Sequence, residues 1–338
     1  DVGLKRGSEI AFVIKPDFSL DLIPRKIREK NIDNEANKLK EYYISVDPAE
    51  DFESTLRLIQ SLYVISADIM RIHFKPTTDP TKCKSAIKNF ARDTFLGSEV
   101  IDETKNEITL QILIKHSEFP IEKAVRRMSI VALAANRDAV NTLKDTNREL
   151  TNSVINSRND VNRLMLYVVR QLKFGLEHNM YRELGFSTPK EFLLYRMLVN
   201  NIKNIGEDAV NIINNQITFQ KLLDDQVLFL KEPTDEEVYT QILQLNTTAH
   251  QLFEEAAKAM FKRDYNAAEK IIPKRKSYIQ TENDLILLMS TKKLDPNVAS
   301  LLRLVLDSSR RILDYGQDIA ELTLNRTVEE LCTSFAVK

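Results

Sequence analysis

Along the first 115 residues the spacing of apolar and polar positions changes repeatedly, whereas from Glu118 onward one period near 3.6 dominates. Ile10-Ala11-Phe12-Val13-Ile14 reads as a strand, Lys15-Pro16-Asp17-Phe18 as a turn and Ser19–Ile23 as a returning strand. A lone hairpin is marginal in water, so residues 1–25 call for partner strands or a second chain. Residues 26–40 are charged and asparagine-rich, a linker or exposed helix. Residues 41–115 alternate in type: strand Tyr42–Val46, helix Ala49–Ile65, strand Asp68–Phe74, helix Asp79–Phe95, then strands Val100–Asp102 and Ile108–Leu113 around Thr104-Lys105-Asn106. That is a small α/β domain, and Phe52, Leu56, Ile59 and Tyr63 form the core stripe of its first helix.

Beyond Glu118 the pattern predicts three long helices and then three more. Leu194, Leu198, Ile202, Ile205, Ala209 and Ile212 recur at steps of three and four, with Lys203 and Glu207 on the opposite side, as a bundle helix requires. Breaks are expected at Leu184–Pro189 and at Lys231–Thr234. The second break separates two copies of one plan. Asp138-Ala139-Val140 with Val154-Ile155 corresponds to Glu255-Ala256-Ala257 with Ile271-Ile272, and Ile205–Ile212 corresponds to Ile312–Ile319. The offsets are 117 and 107 residues, as an internal duplication of a three-helix unit would leave (116–231 and 232–338).

Composition strengthens the helical reading, since 7 Gly in 338 residues is about 2%, against a usual ~7%. Lys+Arg 48 against Asp+Glu 49 leaves a formal charge of -1, so no overall field draws the molecule to nucleic acid or anionic lipid. Cys83 and Cys332 stand far apart, without zinc or disulfide spacing, which suits a reducing cytoplasm. No apolar run reaches the roughly 18 to 20 residues of a membrane span, so no membrane insertion is expected. The chain opens at Asp1, inside a structural unit, and some N-terminal sequence is expected to precede it.

Chemistry is sparse. Gly97, Gly175, Gly185, Gly206 and Gly316 each stand alone, so no phosphate-cradling loop forms. His73, His116, His178 and His250 belong to no metal cluster and read as exposed or capping imidazoles. No serine sits in a nucleophile elbow, and neither cysteine has an adjacent base, so the chain reads as a non-enzyme with no catalytic or cofactor-binding residues.

The stretch Pro120–Met128, then Asp160-Val161-Asn162-Arg163-Leu164 leading to Val169-Arg170-Gln171-Leu172, resembles the first repeat of archaeal PhoU-type phosphate uptake regulators. Ser309–Glu321 resembles the signature of the last PhoU helix, and Gly3–Glu9 is similar to the middle of a SpoVT/AbrB-type domain, a swapped-hairpin module that binds DNA as a dimer in many relatives. The resemblance implies a mainly α fold: two tandem PhoU-like three-helix bundles preceded by a small α/β domain and a partial AbrB-like β-hairpin.

In that family, carboxylates four apart on a helix hold iron or other divalent ions, since side chains at that spacing share a face and carboxylates suit hard cations. Here the pattern is eroded: Asn156, Arg158, Asn159 and Asn162 leave only Asp160 acidic on one helix, and Lys203 and Arg310 replace leading carboxylates. Lys203 with Glu207, and Arg310 with Asp314, are i,i+4 pairs able to neutralise the acidic face without an ion. The remaining metal candidates, for iron or zinc, are Asp307, Asp314, Asp318 and Glu321, opposite the apolar stripe Leu302, Val305, Ile312, Ile319, together with Glu207 and Asp208; a metal-free bundle is the expectation.

The expected function is a cytoplasmic, homodimeric regulator of phosphate uptake, acting through contacts with the phosphate transporter ATPase or a phosphate-signalling protein. The expected contact face is the polar side of the third and sixth helices, with Lys203, Glu207, Arg310, Asp314 and Asp318. The alternatives are an AbrB-type DNA-binding transcription regulator with a PhoU sensor, which needs residues upstream of Asp1 to bind DNA, and a metal-free helical scaffold.

Overall fold

The computed structural model describes residues 10–14, 20–24, 39–47, 51–75, 79–114, 118–143, 148–224, 235–292 and 294–332. The AbrB-like motif Gly3–Glu9, the turn Lys15–Phe18, the charged segment 25–38 and the break at Lys231–Thr234 lie outside the described residues. The protein is mostly helical, with a small mixed sheet near the N-terminus. By backbone contacts it divides into two units, one of residues 1–116 with 170–184, the other of residues 117–169 with 185–338.

In the first unit, β1 (Ile10–Ile14) and β2 (Leu20–Pro24) form an antiparallel hairpin in which Ile10 faces Pro24 and Ile14 faces Leu20. The second strand sits one residue later than its pattern predicts. A separate sheet holds β3 (Glu41–Val46), β4 (Ile69–Phe74), β5 (Ser98–Glu103) and β6 (Glu107–Ile112) in the order β3-β4-β6-β5. β3 and β4 are parallel, joined through α1 (Phe52–Val64), while β6 runs antiparallel to both of its neighbours. Period-two alternation decides which face is covered: Met70, Ile72 and Phe74 are buried and His73 is exposed. Ile59 and Tyr63 of α1 and Ile87 and Ala91 of α2 (Thr81–Thr94) are buried too, and the Tyr63 ring stacks on Phe95 at 4.4 Å. Gly97 turns the chain into β5 with φ +75°, where a Cβ would come within 2.6 Å of the Ile114 side chain.

Arg170 plugs the turn between α1 and β4. Its side chain is 1% exposed; Nη1 donates to the carbonyls of Tyr63 (3.0 Å) and Ala67 (2.7 Å), and Nη2 meets Asp68 at 2.9 Å. Ser66, forced to φ 69° in that turn, donates its hydroxyl back to the Arg170 carbonyl. A buried guanidinium is tolerated because the carbonyls of the turn and the Asp68 carboxylate accept its hydrogen bonds and balance its charge.

The second unit holds α3 (Ile121–Asn141), α5 (Glu191–Asp224), α6 (Glu236–Lys262), the short α7 (Tyr265–Glu269), α8 (Lys274–Thr291) and α9 (Pro296–Leu331), with the part of α4 (Arg148–Glu177) up to Val169. Side-chain caps start two of them: Asp235 accepts from the Glu237 and Val238 amides, and Asp295 accepts from the Asn297 amide ahead of Pro296 at the first helical position. Every member of the α5 stripe Leu194, Leu198, Ile202, Ile205, Ala209, Ile212 is buried, as are Leu302, Val305, Ile312 and Ile319 on α9. Two expectations change. α4 stops at Glu177, before the break expected at Leu184, and the fifth expected helix is interrupted at residues 270–273, where Pro273 removes an amide donor and caps α8. α3 packs on α5, α6 on α9, and α8 on both α6 and α9. Gly316 lets α9 approach α6: a Cβ there would lie 3.1 Å from the Phe253 Cα.

Candidate functional site

The helical interior contains a polar cluster that no motif announces. Asn136 of α3 donates to the Ser308 hydroxyl (3.0 Å), and its carbonyl oxygen accepts from Asn246 Nδ2 (3.0 Å) and faces His250 Nε2 (3.0 Å). Asn246 also donates to Ser309, whose hydroxyl donates to the Val305 carbonyl. All five side chains belong to buried residues. Because Asn136 presents an acceptor, His250 must carry its proton on Nε2, leaving Nδ1 a bare lone pair in the core, without a hydrogen-bond partner. Burial first, and the nearby Arg137 second, push the imidazole down to about 4. His250 is therefore a core histidine and not the exposed or capping one expected from sequence. The cluster joins α3, α6 and α9 by directional bonds that a slipped register would break, a registering device and not a reactive centre.

The carboxylates singled out as metal candidates are dispersed onto basic or amide partners. Asp307 pairs with Arg303 at 3.1 Å, Asp208 takes a bidentate grip from Arg311 at 2.8 Å, and Asp314 is held by Arg275 (2.9 Å) and Arg310 (3.3 Å). Asp318 accepts from Asn201, and Glu321 from Gln317. Burial raises the affinity of Asp208 and Asp318 for protons, opposed by Arg311 and Asn201 respectively. Among the described residues no group of three or more His, Cys, Asp or Glu side chains is placed to hold a metal ion. The pairs Lys203–Glu207 (3.7 Å) and Arg310–Asp314 form as their spacing suggests.

Several residues of the expected contact face also tie helices of this chain together. Arg310 also reaches Glu282 of α8 at 2.6 Å, Arg275 of α8 reaches Asp314, and Asp318 meets Asn201 of α5. These charges join one helix of this chain to another, while Lys203, Glu207 and Asp314 stay half-exposed and Asp318 exposed.

No protein-family model matches the chain, and neither does any curated protein.

Two grooves on the helical unit bear on function. One, of about 580 Å³ between α6 and α8, is lined by Gln241, Gln244, Thr248, Gln251, Tyr278 and Thr281 and closed by the Lys274–Glu255 pair at 2.7 Å; amides and hydroxyls of this kind bind neutral polar groups. The other, of about 370 Å³, runs between α3 and α6. Its floor is apolar, with Leu133, Ala134, Phe253 and Ala257, and Ile130 stands 63% exposed beside it. Its rim is cationic: Arg126, Arg137 and Lys258 against Glu254. Arg126 lies 3.9 Å over the Phe261 ring and is paired with Glu122 at 2.6 Å, so its guanidinium is fixed in place. Arg137 and Lys258 are exposed and form no ion pair among the described residues. Nothing in the sequence flagged this groove, because its two walls lie more than a hundred residues apart.

Proposed function

We propose that the protein is a PhoU-like regulator of phosphate uptake that works by binding other proteins, without a catalytic group or a resident metal. What supports this reading is the spacing of the long helices, which recurs close to the offsets of the repeated motifs; the carboxylates that would carry metal chemistry are also partnered within the chain. α6 begins 115 residues after α3, and α9 begins 105 residues after α5 and ends 107 after it, close to the 117 and 107 offsets of the repeated motifs. On this reading the chain holds two tandem three-helix bundles of common origin, with the fifth helix broken by Pro273. A helical body of this kind transmits a signal through differential contacts with its partners.

The contacts are with the phosphate transporter ATPase or a phosphate-signalling protein, and the β1–β2 hairpin serves to join two copies. Deleting the gene in the native host and measuring phosphate uptake in replete medium tests the function. Uptake that stays high despite ample phosphate is expected; uptake repressed as in the parent would refute the assignment.

A further inference from the structure

We infer that the groove between α3 and α6 docks an amphipathic helix carrying acidic side chains along its flanks, contributed by a partner protein. This rests on the protein-contact reading above and names its surface and chemistry. The walls are antiparallel: Arg126 lies over Phe261 at one end, and Asn136 meets Asn246 and His250 toward the other. Lining residues on α3 recur at 126, 129–130, 133–134 and 137, and on α6 at 253–254, 257–258 and 261, a stripe on each helix facing one cleft. From Arg126 to Arg137 the cleft runs about 16 Å, the rise of three helical turns.

Size and charge select the occupant. Small side chains at Ser129, Ala134 and Ala257 keep the floor low, so a third helix can settle between the two walls with its apolar stripe against the exposed Ile130 and Ala134. Extended strands gain nothing there, since both walls are helical and offer no unpaired backbone edge. Arg137 and Lys258 flank the floor, and Lys258 continues into a hollow of about 360 Å³ that adds Lys262, Lys270 and Lys274 against Glu255 and Asp264. Lys274 is already held by Glu255, whereas Arg137, Lys258, Lys262 and Lys270 form no ion pair among the described residues. Cations poised beside an apolar floor favour carboxylates on the flanks of the incoming helix and repel a basic one.

The test uses the full chain and a labelled, helix-stabilised peptide of about four turns, with leucines at i, i+3, i+4 and i+7 and glutamates on both flanks. A matched peptide with lysines in place of the glutamates is the control, and both are titrated by fluorescence anisotropy at low and high salt. Saturable binding of the acidic peptide, weakened by salt and absent for the basic one, is expected. Ile130→Glu, at an exposed position, and Arg137→Glu combined with Lys258→Glu should each weaken it by about tenfold or more while circular dichroism and melting stay unchanged. Equal binding of both peptides, or binding indifferent to these substitutions, overturns the proposal. So does a dimer, seen by sedimentation, that Ile130→Glu converts to monomer, because the occupant would then be a second copy. Peptide binding as predicted alongside normal phosphate control in the deleted host would retain the groove and reject the phosphate role; lost phosphate control with no peptide binding would do the reverse.

Discussion

His250 provides the sharpest test of the helical interior. Its imidazole is 2% exposed and neutral, with Nε2 committed to Asn136 and Nδ1 facing no acceptor. Protonation would bury a charge in the core and bring it near the exposed Arg137 guanidinium. Folding lowers its pKa from 6.5 to about 4, so between those values the unfolded chain binds a proton that the folded chain refuses. Stability is therefore intact above pH 6.5 and declines as pH falls toward 4. Across that interval each pH step of one costs about 1.4 kcal/mol, which makes the loss relative to neutral pH about 2 kcal/mol by pH 5 and about 3 kcal/mol by pH 4. His250→Gln isolates this contribution, because the amide nitrogen of glutamine can donate to Asn136 in place of Nε2 and does not titrate. Urea unfolding of both proteins at intervals from pH 7 to 4.5 gives the difference in stability, in which the carboxylates common to both cancel. The parent should lose about 2 kcal/mol more than the variant by pH 5. A difference constant to within about 0.5 kcal/mol across that range would show that His250 is solvated or already charged, and would refute the buried, neutral assignment.

Replacing Arg170 with Met should destabilise the first unit by about 3 to 5 kcal/mol, since it removes the cation beside Asp68 and the donors to the Tyr63 and Ala67 carbonyls; hydrogen exchange of β4 amides would report it, and protection unchanged from the parent would count against the anchoring role. Gly316→Ala should lower stability by about 1 to 3 kcal/mol because its methyl meets the α6 backbone, whereas Gly206→Ala, whose nearest neighbours lie 3.8 Å away, should raise it by up to ~1 kcal/mol; equal effects in thermal melts would refute the close approach of α6 and α9. Protein purified without chelator should carry less than stoichiometric iron or zinc by elemental analysis, and a full equivalent lost on Asp314→Asn would show that the acidic stripe binds metal.

Much of the fold was legible because local periodicity and tertiary burial coincide. The α5 stripe from Leu194 to Ile212 and the alternation in β4 each place apolar groups on one face, and each face is buried. The ion pairs Lys203–Glu207 and Arg310–Asp314 were readable for the same reason, since four residues is one helical turn. What the tertiary structure alone decided depends on residues distant in sequence. Asn136, His250 and Ser308 look like ordinary polar positions until three helices bring them into hydrogen-bond distance, and Arg170 looks like a surface arginine until a turn about a hundred residues earlier presents its carbonyls. The acidic stripe of α9 shows the converse. Its spacing is set by the helix, but its chemistry depends on Arg275 and Glu282 of α8 and Asn201 of α5, which turn apparent ligands into interhelical ties. The cationic groove lies between two antiparallel helices, so its apolar floor and its rim come into existence only when α3 and α6 pack.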